Sequence, residues 1–361
     1  MRGRMSPLMG RALLVGAIAI TTGCGDAPSE ATLPPLRQKY TLAVSIYAGW
    51  MPWYYAAEAG VLKKWAGAEG IEIELLPMDY MGSIEAFMGE RADACVMTNI
   101  EALDLPAAAG IDVTALIIGD YSNGNDKLLT RSASSISELN GARIALVESS
   151  VSDYLLNRAL AGAGLSSRDV RLVNASDAKI AANFATDPDI QAVVTWNPIA
   201  AEIERDSSVA SVYDSSMIPG EILDLCVVNT ATLDRDPRLG KALVGAWYEV
   251  LGLMQQRNAA GARARARMAE LSDCSPADYE DQLRATYMFW QPVDAANYAA
   301  SSDLKQSMTR VREFCFAKHL MGDDAESVNS IGIAFPDGSL QGDHRRITLR
   351  FDDAFVRAAG D

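Results

Sequence analysis

Histidine is almost missing from this chain: His319 and His344 are the only two in 361 residues. Neither lies in a predicted strand-end loop, so general-base histidine chemistry has no seat. Cysteine is scarce as well. Cys24, Cys95, Cys226, Cys274 and Cys315 show no CxxC spacing and no histidine partners, so no zinc or other metal site is expected. No GxSxG, HExxH or P-loop lysine motif is present, and no glycine-rich dinucleotide signature follows the first strand. Hydrolase, metalloprotease and nucleotide-binding readings therefore lack support, and no cofactor is expected. Positive charge is also short, with 32 Lys and Arg against 47 Asp and Glu and a formal net charge of −15. A nucleic-acid partner would need a basic surface, so none is expected.

Hydrophobic residues make up 49% and charged residues 22%, which fits a folded globular chain long enough for two domains. The N-terminus reads as a targeting segment. Arg2, Arg4 and Arg11 form a basic region, and Ala12–Ile20 is apolar but too short to span a bilayer. Thr21-Thr22-Gly23-Cys24 resembles a bacterial lipobox, although Thr21 stands where Leu is usual. On that reading residues 1–23 are a signal peptide and Cys24 is acylated. Residues 24–39, with Pro28, Pro34 and Pro35, then form a tether. In an oxidising compartment Cys274 and Cys315 could bridge, and buried free thiols are the alternative.

From Tyr40 the chain alternates apolar strands with helices. Strands are expected at Leu42–Ile46, Ile71–Pro77, Ala94–Thr98 and Val113–Gly119, with helices at Trp53–Glu69, Ser83–Gly89 and Glu101–Ala109 between them. Tyr121–Asp126 is turn-rich and breaks the series. A second set runs from Ala142–Val147 through Ala192–Thr195 to a short strand at Val212–Tyr213. Leu223–Asn229 then carries the chain back. Helices follow at Pro237–Arg257, Ala259–Leu271, Pro276–Thr286 and Ala295–His319. Residues 331–352 read as a hairpin turning at Pro336-Asp337-Gly338. The expected class is thus α/β with two lobes. Residues 40–125 and 225–361 form one and 126–224 the other, joined by two crossovers that act as a hinge.

The first predicted strand runs into Ser45–Leu62, SIYAGWMPWYYAAEAGVL, an aromatic turn without charge that opens a helix. Ligands of α/β proteins sit beyond the carboxyl ends of strands. Tyr47, Trp50 and Trp53 are therefore candidate walls of a small-molecule site, with core packing as the alternative for any one ring. The predicted strand-end loops 45–55, 78–85, 97–105, 119–126, 148–153, 195–198 and 219–224 hold no Lys or Arg. Their charges are Asp79, Glu85, Glu101, Asp104, Asp120, Asp126, Glu148, Asp153, Glu221 and Asp224. Carboxylates beside Trp and Tyr suit a cation, and an anion would want a basic partner. A solvated acidic rim is the bland alternative. Candidate ligand contacts are Asp79 after the second strand, Asn99 and Glu101 after the third, and Asp120, Asn123 and Asp126 at the first crossover. Ser150 at a helix start, Trp196 and Asn197 after a second-lobe strand, and Asp224 at the return crossover complete the set. Glu101 either points inward or favours its helix N-terminus, and Ser150 with Asp153 reads equally as a cap.

The lipobox-like start, the aromatic turn, Thr98-Asn99, the stretch GDYSNGND and the stretch VTWNP resemble the substrate-binding components of bacterial ABC importers. The broad family takes up nitrate, taurine, alkylsulfonates and thiamine precursors. Ser45–Leu62, Gly119–Asp126 and Val194–Pro198 are most similar to a subgroup encoded beside urea carboxylase-type enzymes, which act on urea or guanidine. The resemblance covers about residues 40–352. It implies a two-lobe periplasmic binding protein fold of the type II-like kind, with C-terminal helices and a β-hairpin and no catalysis. It further implies a periplasmic monomer anchored through Cys24, an inner-membrane ABC permease as partner, and guanidinium or urea as ligand. Taurine, nitrate or a pyrimidine precursor are the alternative ligands. An enzyme on the same fold or a sensor domain are the alternative classes.

Overall fold

Two β-sheets take up the strands, and the chain passes between them twice. The structure, a computed structural model, describes residues 38–360. The expected signal peptide, Cys24 and most of the expected tether lie outside the described residues. In chain order the strands are β1 (Gln38–Val44), β2 (Ile71–Pro77), β3 (Ala94–Thr98), β4 (Val113–Ser122), β5 (Asp126–Thr130), β6 (Arg143–Leu146) and β7 (Arg171–Asn174). They continue as β8 (Ala192–Trp196), β9 (Ala210–Asp214), β10 (Leu223–Asn229), β11 (Thr286–Met288), β12 (Gly332–Ala334), β13 (Leu340–Gln341) and β14 (Ile347–Phe351). One sheet has the order β13-β12-β14-β4-β10-β3-β1-β2 with β11 paired to β4, and the other β7-β6-β8-β5-β9. The mixed α/β class follows from the alternation of apolar strands with helices. Buried runs such as Ala94–Thr98 and Ala192–Trp196 are covered on both faces.

Parallel pairing holds for β1 with β2 and β3, and for β6 with β7 and β8. Antiparallel pairing enters where the chain changes sheet. Only residues 123–125 separate β4 from β5, so β5 enters the second sheet against the direction of β8. The returning β10 inserts antiparallel between β3 and β4. The two connections are bonded to each other: Ser122 N–H donates to the Ile222 carbonyl at 3.0 Å. The Ser122 and Ser215 hydroxyls meet at 2.7 Å, and Gly124 N–H donates to Ser215 Oγ at 2.7 Å. Gly124 has a φ of +120°, a conformation open to glycine and strained for other residues.

Several expected elements differ. The helix expected over 53–69 is two helices, Met51–Glu58 and Val61–Ala68, because Gly60 is left-handed with φ +76°. The helix expected over 295–319 is likewise split, into Pro292–Ala299 and Ser302–Ala317. Ser301 is extended and its side chain caps the second piece through Leu304 N–H. The segment expected as a helix over 101–109 begins as a short α-turn and continues as a π-helix, Leu103–Ala107, which accommodates Pro106. The C-terminal hairpin is real but smaller than expected. β12 pairs antiparallel with the two-residue β13, whereas β14 lies parallel to both β12 and β4. β1 starts at Gln38, two residues inside the expected tether. Cys274 and Cys315 are free thiols: Cys315 is fully buried, and Cys274 lies against the Ser272 hydroxyl at 3.2 Å.

Candidate functional site

The carboxyl ends of β3 and β4 and the start of β10 converge on one point. In register, Asp224 of β10 lies opposite Thr98 of β3 on one side and Asp120 of β4 on the other. Asp126 opens β5 of the other sheet, where it lies opposite Trp196 of β8. A small chamber opens there, with a cavity volume of about 20 Å³, enough to hold about one water and far below the roughly 300–1,000 Å³ of drug-sized sites. Tyr47, Trp50, Tyr80 and Thr98 line it from one side. Val151 and Trp196 line it from the other, and Asp126, Ile222 and Asp224 sit at the connections.

Its walls are aromatic. Tyr47 meets Trp50 edge-on at 5.2 Å, Trp50 meets Tyr80 at 5.6 Å, and Tyr80 meets Trp196 edge-on at 5.5 Å. The turn forms because Tyr47 is extended and Trp50 N–H returns to the Tyr47 carbonyl at 3.0 Å. Gly49 is required in that turn: a Cβ there would lie 2.5 Å from an Asp120 oxygen. The Asp120 carboxyl therefore packs directly on the aromatic turn.

Beside these rings the charge is of one sign. Asp120, Asp126 and Asp224 are buried, and no ion pair reaches any of them among the described residues. With both acids ionised, neither oxygen of Asp120 nor Oδ2 of Asp224 receives a hydrogen bond, and the Trp50 Nε1 donor has no acceptor. Burial pushes Asp120 up to about 7, and the Asp126 charge adds to this, whereas hydrogen bonding toward Asp224 opposes it. Burial also pushes Asp126 up to about 7, against the pull of Ser122 and with a further push from Glu101. Asp224 rises well above the ordinary carboxylate range, first by burial and then by the nearby Asp120 and Asp126. The nearest lysine in sequence, Lys127, is taken by Glu204 at 2.6 Å.

The remaining candidate residues are spent on the fold. Trp53 packs on Trp247 with ring centroids 4.9 Å apart and the rings tilted by 31°, away from the chamber. Asp79 caps the helix Tyr80–Met88 by accepting Gly82 N–H at 2.8 Å and borders a wider outer cleft. Asn99 staples β10, donating to the Glu221 carbonyl at 3.1 Å and accepting Leu223 N–H at 3.0 Å. Glu101 accepts from the Thr98 hydroxyl and from Val151 N–H at 2.7 Å, tying β3's end to the helix Val151–Gly162. Ser150 caps that helix through Ser152 N–H at 3.1 Å and donates to the Val147 carbonyl at 2.6 Å. Asn123 places its backbone N–H on the Ala285 carbonyl at 2.9 Å and is absent from the chamber wall. Asn197 donates to Asn125 at 2.8 Å and caps Ala201 N–H at 3.0 Å.

Sequence reading missed Tyr80, Thr98, Val151 and Ile222 as wall residues. Tyr80 and Thr98 adjoin chosen residues and could have been found. Val151 and Ile222 look like any core aliphatic.

Two sheets joined by a pair of bonded crossings, with a small chamber at the crossings, define the periplasmic binding protein fold. The aliphatic sulphonate binding protein of Escherichia coli superposes with a TM-score of 0.65, at 15% identity over 80% of this chain and 95% of its own. The alkanesulfonate-binding protein of Xanthomonas axonopodis pv. citri, bound to MOPS, gives 0.64 at 18% identity over 79% and 94%. The nitrate-binding protein of Synechocystis PCC 6803 gives 0.59 at 14% identity over 90% and 98%. At these identities the likeness is one of fold. The chain belongs to the NMT1/THI5-like family, whose pattern matches residues 50–256. No curated protein matches the sequence. Among the described residues no helix is long and apolar enough to cross a membrane.

Proposed function

We propose that this chain is the substrate-binding component of an ABC importer, that it captures a small nitrogen-rich cation between two lobes, and that guanidinium is the ligand. Residues 40–125 with 225–361 serve as one lobe and 126–224 as the other. The chain is held at the periplasmic face of the inner membrane through Cys24, delivers its ligand to the permease, and carries out no catalysis.

One observation carries the choice of ligand: two buried carboxyls, Asp126 and Asp224, line an aromatic-walled chamber, a third, Asp120, lies beside Asp224 on the next strand, and no basic side chain pairs with any of them. A planar cation bearing NH2 groups supplies the donors those oxygens lack and presents a face for the rings. Nitrate and sulfonates, the ligands named for the structural neighbours, would meet like charge there. A second reading, urea, is favoured by Trp50 Nε1. That buried donor without a partner suits the oxygen of a neutral amide.

Calorimetric titration of the chain from residue 27 onward with guanidinium, urea, taurine and nitrate is the test. Guanidinium is expected to bind most tightly. Tight taurine or nitrate binding with no response to guanidinium would sink the reading.

A further inference from the structure

The chamber holds more negative charge than one small cation can balance. Fully ionised, Asp120, Asp126 and Asp224 would leave two buried charges uncompensated around a monocation, an arrangement that costs far more than it returns. Asp120 and Asp224 are register partners on adjacent strands. As carboxylates they leave three oxygens without donors: both of Asp120 and Oδ2 of Asp224. One proton held between them would supply a donor and remove one charge, as in other paired acids that cannot both ionise.

Resting on the cation reading above, we propose that Asp120 and Asp224 form a proton-sharing pair that keeps one proton while ligand is bound. Asp126 is the full carboxylate of the site, and below neutral pH the incoming cation replaces the proton on Asp126. The balance is simple: the Asp126 O–H bond breaks, the proton leaves to solvent, and the ligand keeps all of its own protons. The chamber then presents two negative charges to one positive charge, which selects a monocation carrying several N–H donors.

The groups facing the pair all support a retained proton. Tyr47 comes from the turn after β1, Tyr80 from the helix after β2, and Tyr279 from the helix Pro276–Arg284. Glu101 and Asp126 add negative charge. None of these is a cation. Burial, and then the nearby Asp120 and Asp126, hold Asp224 well above the ordinary carboxylate range, so ionising one member of the pair raises the cost of ionising the other.

Guanidinium chloride titrations in buffers of low and high ionisation heat test this. At about pH 6 capture should release about one proton or more per ligand, and at about pH 8.5 none, with affinity falling about tenfold per pH unit below neutrality. Asp224→Asn, whose amide can stand in for the held proton, should weaken guanidinium by less than about tenfold, and Asp126→Asn by more. Carboxyl-carbon NMR of the unliganded wild-type protein, which needs no variant, should show aspartate titration near pH 7. Release of a proton at about pH 8.5 overturns the held proton, and buffer-independent heats at about pH 6 overturn the displacement. So does the lack of any aspartate titration above about pH 5. In each of these cases guanidinium binding itself stands. No guanidinium binding at about pH 8.5, where Asp126 is ionised, overturns the cation reading and this inference together.

Discussion

Glu221 and Asp224 are buried acids three residues apart on the return connection, and the molecule treats them oppositely. Glu221 is saturated. Tyr154 donates to it at 2.7 Å, Arg158 reaches both oxygens at 2.7 and 3.1 Å, and Arg310 lies at 3.6 Å. Asp224 has no cation near it and an oxygen with no partner at all. The first acid is structural: it fastens the helix Val151–Gly162 to the return connection, while Glu101 on Val151 N–H ties the same helix to the end of β3 and Lys318 on Asp153 at 2.7 Å ties it to the end of the helix Ser302–Ala317. The second waits for a charge that the chain does not supply. An acid whose partners are all present stabilises the fold, and one that is buried without partners spends stability on a site.

The largest consequence of this contrast is in pH dependence. Asp120 and Asp126 each rise from the ordinary 3.8 to about 7 in the folded chain. Between those values the folded state binds more protons than the unfolded one, so stability falls as pH rises from about 4 to about 7 and levels off above. A single group moved that far contributes about 4 kcal/mol. Asp236, held down to about 2 mainly by Arg238, works in the opposite sense, and its contribution is lost only as pH falls below about 4. Thermal unfolding of the ligand-free protein from about pH 4.5 to 8 should show the decline, and Asp126→Asn should roughly halve it, leaving the Asp120 contribution. A stability that rises through this window would break the contrast.

Next in size is the difference between the two acids themselves. Glu221→Gln removes the charge that Arg158 and Arg310 answer and weakens the Tyr154 bond. It should cost about 2–3 kcal/mol in urea unfolding, discounted because Arg158 is 35% exposed. Asp224→Asn should move stability by less than about 1 kcal/mol, since the amide can stand in for the proton held against Asp120. Equal losses would mean that both acids are structural.

Much of the fold was legible in sequence because it rests on periodicity. β2, β3 and β10 coincide with their expected runs, Ile71–Pro77, Ala94–Thr98 and Leu223–Asn229. The split helices were not legible, since one left-handed glycine or one extended serine ends a helix without disturbing its apolar spacing. The charge of the site was legible as a lack of Lys and Arg in the strand-end loops. The roles within it were not. Trp50 and Trp53 are three residues apart in one turn, yet Trp50 faces the chamber and Trp53 packs on Trp247. Glu101 follows Thr98 at a spacing that suits either a cap or a ligand contact, and only the approach of Val151 N–H assigns it to the tie between the sheets. Such assignments depend on contacts between residues far apart in the chain, which no local pattern encodes.

The smallest expected effect is the sharpest test of which acids belong to the chamber. Asp79 and Asp224 both follow or begin strands at the same sheet end, and both were candidates for the same ligand. The structure spends Asp79 on its own helix, through Gly82 N–H at 2.8 Å, and leaves it beside the outer cleft rather than the chamber. Asparagine caps a helix about as well as aspartate, so Asp79→Asn should cost no more than a few tenths of a kcal/mol. Because Asp79 is far more exposed to water than the chamber acids, its charge should be screened from the ligand. Guanidinium affinity of Asp79→Asn, measured by calorimetry beside Asp224→Asn at about 0.15 M salt, should match the wild type while that of Asp224→Asn falls. The reverse order would move the cation out of the chamber and into the outer cleft.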